Sequence, residues 1–109
     1  MDLIVAKFDG SALANGELIQ KAAKSVVKEH MKGRKVVVVV SAVSKTTDAL
    51  VELSKDSVGS ALTDRQQAEI RAMGERISAR IFESSLEALG VKAKYIDPYD
   101  SEWPIISDY

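Results

Sequence analysis

Three polar segments of the chain carry side chains whose types and spacing could do chemistry. The first is Lys7-Phe8-Asp9-Gly10-Ser11, a lysine followed by a glycine turn and then a helical pattern. The lysine supplies positive charge, the turn exposes backbone N–H groups, and a helix amino terminus adds partial positive charge, so the chemistry would be the holding of a phosphate. The second glycine and following lysine of a phosphate-binding loop are missing. By spacing alone, an ordinary strand-to-helix turn with a surface lysine is the stronger reading. The second segment is Ser41-Ala42-Val43-Ser44-Lys45-Thr46-Thr47-Asp48. Hydroxyls and N–H groups at a helix start suit a carboxylate or a phosphate; alone, Thr46 or Thr47 as a plain helix cap explains it better. The third is Met73-Gly74-Glu75-Arg76-Ile77-Ser78. Glycine beside glutamate inside a helix lets a ligand or another backbone approach closely, although a surface Glu75–Arg76 pair next to a helix crossing accounts for it in isolation.

The elements that must position these residues follow from hydrophobic period and turn chemistry. Leu3 to Phe8 reads as a short strand, ended by the turn formers between Asp9 and Gly16. Leu18, Ile19, Ala22, Ala23, Val26, Val27 and Met31 fall on one helical stripe, with Asn15 as its amino-terminal cap and Gly33 at its end. Val36 to Val40 is a β-branched run without polar alternation, the pattern of a parallel strand covered on both faces. A polar connection, Ser41 to Thr46, leads to a helix through Ala49, Leu50, Val51 and Leu53 that Thr46, Thr47 or Asp48 can cap. A Ser/Gly loop over residues 56–62 then precedes a long helix capped by Thr63 or Asp64 and reaching Leu89. Its predicted apolar face is Ile70, Met73, Ile77, Ile81 and Phe82, with Gly90 as its stop. Gly74 inside it costs about 1 kcal/mol against alanine, so a packing or ligand reason is expected. Val91 to Ile96 reads as a third strand, Asp97-Pro98 as a loop, and Ile105-Ile106 as the start of a fourth element. This order predicts an α/β fold with a mainly parallel sheet, whose ligands gather at the carboxyl ends of the strands.

Composition narrows the function. The 109 residues hold 15 basic and 16 acidic side chains, a formal net charge of −1, with no basic excess to neutralise a nucleic acid. There is no cysteine, which excludes disulfides and thiolate metal sites. No signal peptide is visible at Met1-Asp2-Leu3-Ile4, and the run Val36 to Val40 is too short to span a bilayer. No nucleic-acid partner, no membrane and a cytoplasmic location are therefore expected. His30, the single histidine, reads as a solvated or dipole-compensating residue near a helix end. Trp103 reads as a packed loop anchor, and Tyr95, Tyr99 and Tyr109 show no base-stacking pattern.

Taken together and in order, the segments resemble the aspartate kinase branch of the amino-acid kinase family. That family opens with Lys-Phe-Gly-Gly-Thr-Ser-Val, similar to Lys7-Phe8-Asp9-Gly10-Ser11-Ala12-Leu13. Its second strand runs into Ser-Ala and then, after four variable residues, Thr-Asp or Thr-Asn, as in Ser41-Ala42 and Thr47-Asp48. Its Gly-Glu-small-polar helix is similar to Gly74-Glu75-Arg76-Ile77-Ser78. Its Ala-Leu-Gly-Val-Lys-Ala and Ile-Ile-Thr-Asp match Ala88 to Ala93 and Ile105-Ile106-Ser107-Asp108. The resemblance implies a three-layer α/β/α sandwich, here incomplete: residues 1–109 would be the amino-terminal portion of a catalytic domain, with no regulatory domain. It implies transfer of the γ-phosphoryl of ATP, with Mg2+, to the side-chain carboxylate of aspartate, the first step toward aspartate-derived amino acids such as lysine. Lys7 would contact the transferring phosphoryl group. Gly10 and Ser11 would set the turn against the phosphates, with Ser41 nearby, and Thr47 and Glu75 would bind the amino-acid substrate.

Two departures qualify this. Asp9 stands at a glycine position, which its tolerance of left-handed backbone geometry allows. A carboxylate about 5 Å from a phosphate disfavours binding by more than about a hundredfold at an effective dielectric near 20. Either the side chain turns away, or it helps hold magnesium, or the site is impaired, which is the expectation. The chain is also markedly shorter than the family's catalytic domain, so negligible activity alone is expected, along with a homo-oligomer or a complementary kinase half to cover uncovered faces. The alternatives are a non-catalytic kinase half acting as a binding or assembly module, and a family member with another acceptor.

Overall fold

The computed structural model describes residues 2–96. Two parallel strands, β1 (Leu3–Phe8) and β2 (Lys35–Val40), are joined by helix α1 (Gly16–Met31), and helices α2 (Ser44–Val58) and α3 (Asp64–Ala88) follow. The strands pair from Leu3 with Lys35 to Phe8 with Val40, so their carboxyl ends lie side by side. Ser41 N–H extends the ladder by donating to the Phe8 carbonyl at 3.0 Å. An α/β fold on a parallel sheet is thus confirmed.

The core lies on one face of the sheet. Leu13, Ala22, Ala23, Val26, Phe82 and Leu86 are buried together, and Phe8, Val36, Val38 and Val40 pack against them. The Phe8 and Phe82 rings stack with centroids 5.4 Å apart. Alanines on α1 let it approach the sheet closely. The opposite face, with Leu3, Val5 and Val39, is exposed. The valine run of β2 is therefore covered on one side by α1 and α3, and of the expected three layers the described residues carry the sheet and one helical layer.

Helix ends follow local chemistry. Asn15 Oδ1 accepts from Leu18 N–H at 2.8 Å, and Thr63 and Gln66 form a reciprocal capping box at the start of α3. Gly33, Gly59 and Gly90, all at positive φ, follow the three helices. His30 Nδ1 lies 3.3 Å from the Arg34 carbonyl, and Glu29 pairs with Arg34 and Lys32, fastening the end of α1.

Four expectations are corrected. Helix α2 begins at Ser44 and runs into the first residues of the expected Ser/Gly loop, to Val58, because Ser54 and Ser57 return their hydroxyls to the carbonyls of Leu50 and Leu53 instead of breaking the helix; the rest of that loop is a 3-10 turn over Gly59–Ala61 and the connection to α3. Neither Thr46, Thr47 nor Asp48 caps it; Val43 holds the cap position without a side-chain bond. The buried face of α3 is Gly74, Ser78, Phe82 and Leu86, leaving Met73, Ile77 and Ile81 exposed, as is Met31 of α1. Val91 to Ile96 has no ladder partner among the described residues: Val91 N–H returns to the Leu86 carbonyl, and the Tyr95 ring lies 3.8 Å below the Arg80 guanidinium. The readings of Asp97-Pro98, Tyr99, Trp103, Ile105-Ile106 and Tyr109 lie outside the described residues.

Candidate functional site

The ends of β1 and β2 open on the same side of the sheet, and the three polar segments leave from or pack against that edge. Lys7 is the penultimate residue of β1, opposite Val39, and its side chain is exposed on the uncovered face. After Phe8 the chain enters a short 3-10 turn, Gly10–Leu13, anchored by the buried Leu13. Gly10 opens this turn and Ser11 is its second residue, exposed. Ser41, half-buried, is tied to the end of β1 by its backbone bond to Phe8.

Asp9 sits at φ −83° and ψ 175°, an extended geometry open to any residue, so the left-handed backbone that its glycine-like position suggested is not used. Its Oδ1 accepts from Ser11 Oγ at 2.6 Å and from Ala12 N–H at 3.1 Å. The Ser11 hydroxyl, the Ala12 amide and, more weakly, the Lys7 charge hold the Asp9 carboxyl below its ordinary value of 3.8. The sequence reading missed this bond; its signal was an aspartate three residues before a turn amide, which also donates to the Asp9 carbonyl at 3.2 Å.

Thr47 lies one turn into α2, its N–H donating to the Val43 carbonyl at 3.0 Å. It is 7% exposed, and its Oγ1 has no hydrogen-bond partner among the described residues. The reason it is buried is Gly74. A Cβ placed on Gly74 would lie 2.7 Å from Thr47 Oγ1 and 3.2 Å from Ala42 Cβ, so only a glycine admits α3 this close to the junction of β2 and α2. Glu75, the next residue, is exposed. Thr47 is not the helix cap, a position that Val43 holds, whereas a small residue at a helix crossing beside an exposed Glu75 is what the structure has at Gly74.

The structure thus brings Lys7 and Ser41 to adjacent strand ends, and Thr47 to Gly74 beside Glu75. No hydrogen bond or ion pair joins Lys7, Thr47 and Glu75 to one another. Two open concavities of about 390 and 340 Å3 lie along α3, one lined by Arg80, Ile81, Ser84, Ser85 and Ala88 and the other by Glu69, Ile70, Ala72, Met73 and Arg76; none of Lys7, Gly10, Ser11, Ser41, Thr47 and Glu75 lines either. Among the described residues no group of three histidine or acidic side chains could hold a metal ion, and no helix is long and apolar enough to cross a membrane.

Comparison with known proteins adds an independent observation. Residues 2–106 match the model of the amino acid kinase family. The chain is 41% identical over 93 residues to the aspartokinase of Geobacillus stearothermophilus, covering 85% of this chain and 23% of that one. It is 39% identical over 93 residues to aspartokinase 2 of Bacillus subtilis, covering 85% and 22%. The crystal structure of aspartate kinase from Synechocystis superposes with a TM-score of 0.69 at 33% identity, over 80% of this chain and 15% of that one. The chain therefore spans less than a quarter of the length of these relatives.

Proposed function

The chain belongs to the amino acid kinase family, and from that premise we propose that it is the amino-terminal portion of an aspartate kinase catalytic domain. The reaction is transfer of the γ-phosphoryl of ATP to the side-chain carboxylate of aspartate, giving an acyl phosphate. Phosphoryl transfer of this kind needs no protein nucleophile. It needs two anions held in line and charge neutralised on the phosphoryl oxygens. In this reading Lys7 supplies that charge from the end of β1, and Gly10, Ser11 and Ser41 shape the phosphate side. The Thr47 hydroxyl donates to the substrate's carboxylate, and Glu75 faces its ammonium group.

The observation that carries the proposal is the unpartnered Thr47 hydroxyl, buried against Gly74 and next to exposed Glu75. A buried hydroxyl without a partner costs about 1–3 kcal/mol, a cost that a bound ligand would remove. Mg2+ would arrive on the nucleotide's phosphates, since the described residues build no metal cage of their own. We place the activity in cytoplasmic amino-acid biosynthesis, in a homo-oligomer or with a complementary kinase half.

Two measurements test this. Titrating isotope-labelled chain with L-aspartate should shift the Thr47 and Glu75 amides, and Glu75→Gln should weaken the response about tenfold or more; unmoved amides at saturating aspartate would remove the proposal. Trapping acyl phosphate with hydroxylamine in the presence of ATP and aspartate should give negligible product from the 109 residues alone. Measurable product would show that the chain carries a complete catalytic site.

A further inference from the structure

Two helices of the chain carry charge patterns that match in spacing and oppose in sign. On α1, Glu17 is followed by Lys21, Lys24 and Lys28, four, seven and eleven residues on. On α2, Lys45 is followed by Asp48, Glu52 and Asp56, three, seven and eleven residues on. At about 100° and 1.5 Å per residue, each set falls within about 80° of its helix surface and spans about 16 Å. All of these side chains are exposed, and none makes an ion pair among the described residues. We propose that the two stripes are the halves of one interface, and that α1 of one copy of this chain lies against α2 of a second copy.

Sign and spacing carry the argument. Residues three and four apart share a helix face, and like charges at those distances repel. Lys21, Lys24 and Lys28 repel in this way along α1, as Asp48, Glu52 and Asp56 do along α2. Glu17 and Lys45 relieve the repulsion only at the leading ends. Opposed in parallel, the stripes set Glu17 against Lys45, Lys21 against Asp48, Lys24 against Glu52 and Lys28 against Asp56. Each repulsion within a helix then meets an attraction across the interface. Lys55 borders the α2 stripe, and Lys32, already 3.4 Å from Glu29, lies beyond the α1 one. Each copy presents both halves, and at a formal net charge of −1 two copies have little net repulsion to overcome. Exposed ion pairs make a weak contact that salt dissolves, with a screening length of about 8 Å at 0.15 M and about 30 Å at 0.01 M. The contact therefore belongs to low ionic strength, and it does not depend on the proposed reaction.

The test uses the full chain carrying Ile77→Glu, which removes the exposed apolar stripe of α3 as a competing contact, with its fold checked by amide spectra. In equilibrium sedimentation at about 10 mM ionic strength its mass should rise with concentration, and at about 0.5 M salt it should be a monomer. Lys24→Glu or Glu52→Lys, each added alone, should weaken association about tenfold, because an attractive pair becomes a repulsive one. Mixing these two variants in equal amounts should restore it, since the reversed charges then face each other across the interface. A chain monomeric at low ionic strength, or a mixture no more associated than either variant alone, would overturn the inference. Association that neither reversal changes would place the contact elsewhere and overturn it too. A chain that stays monomeric but binds poly-L-glutamate at Lys21, Lys24 and Lys28 would assign the lysines to a foreign acidic partner, and the second copy would be ruled out.

Discussion

At Thr47 a single hydroxyl separates what stability favours from what binding would need. The group is buried and unpartnered, so its removal should help the fold. Thr47→Val keeps the shape and deletes the polar atom, and is expected to stabilise the chain by about 1 kcal/mol in urea unfolding while abolishing the aspartate-induced shifts. A destabilised variant would mean the hydroxyl has a partner. Asp9 shows the opposite economy, a polar group satisfied at the surface. Its folded-state pKa lies below the ordinary 3.8, so the cap's contribution is fully present above that value and is lost as pH falls through the lower folded one. The Asp9 carboxyl carbon and the Ala12 amide should titrate together with a midpoint below 3.8, and Ser11→Ala, removing the largest cause, should raise it. A native midpoint at or above 3.8 would show that the cap does not form in solution.

Between elements, the crossing of α2 and α3 is decided by Gly74. Alanine is the better helix former by about 1 kcal/mol, yet its Cβ would meet Thr47 Oγ1 at 2.7 Å and Ala42 Cβ at 3.2 Å. Overpacking costs about 1–3 kcal/mol, so Gly74→Ala should destabilise on balance, by about 1 kcal/mol in urea unfolding. Adding Thr47→Ala should restore part of the loss. A stabilised Gly74→Ala would show the crossing to be loose. This crossing also shows what the sequence can and cannot reveal. Glycine within a helical pattern pointed to a close approach, and Asn15, Gly33, Thr63 and Gly90 marked helix ends, because capping is local chemistry. The start of α2 was hidden because Val43 caps it without a side chain, and its length because serines that favour loops can bond back along a helix. The face of α3 was misread because Met73, Ile77 and Ile81 keep helical spacing as well as the buried set does. Periodicity reports an apolar stripe, and only packing says which stripe is covered. The Lys7, Thr47 and Glu75 segments were legible as candidates through their polar types at element ends; the Asp9 bond depended on a turn too short to leave a periodic trace.

At the scale of the whole molecule, two apolar surfaces stand out among the described residues. One is the uncovered sheet face, with Leu3, Val5 and Val39 at 40%, 43% and 44% exposure; the other is the α3 stripe of Met73, Ile77 and Ile81 at 47%, 40% and 44%. Contiguous exposed apolar side chains of this kind favour association. The surfaces differ in consequence, because Lys7 lies on the sheet face and a partner covering that face would cover the lysine too. Of the two, a second copy that leaves Lys7 accessible must use α3, whereas a complementary kinase half completing the sandwich would take the sheet. For the isolated chain, concentration-dependent self-association is therefore expected through α3. In equilibrium sedimentation Ile77→Glu should return the chain to monomer, since a carboxylate at the centre of the stripe would lose its hydration on association, and Val39→Glu should leave the mass distribution unchanged. Dispersal by Val39→Glu alone would move the contact to the sheet face, and a native chain monomeric at every concentration would dispose of self-association altogether.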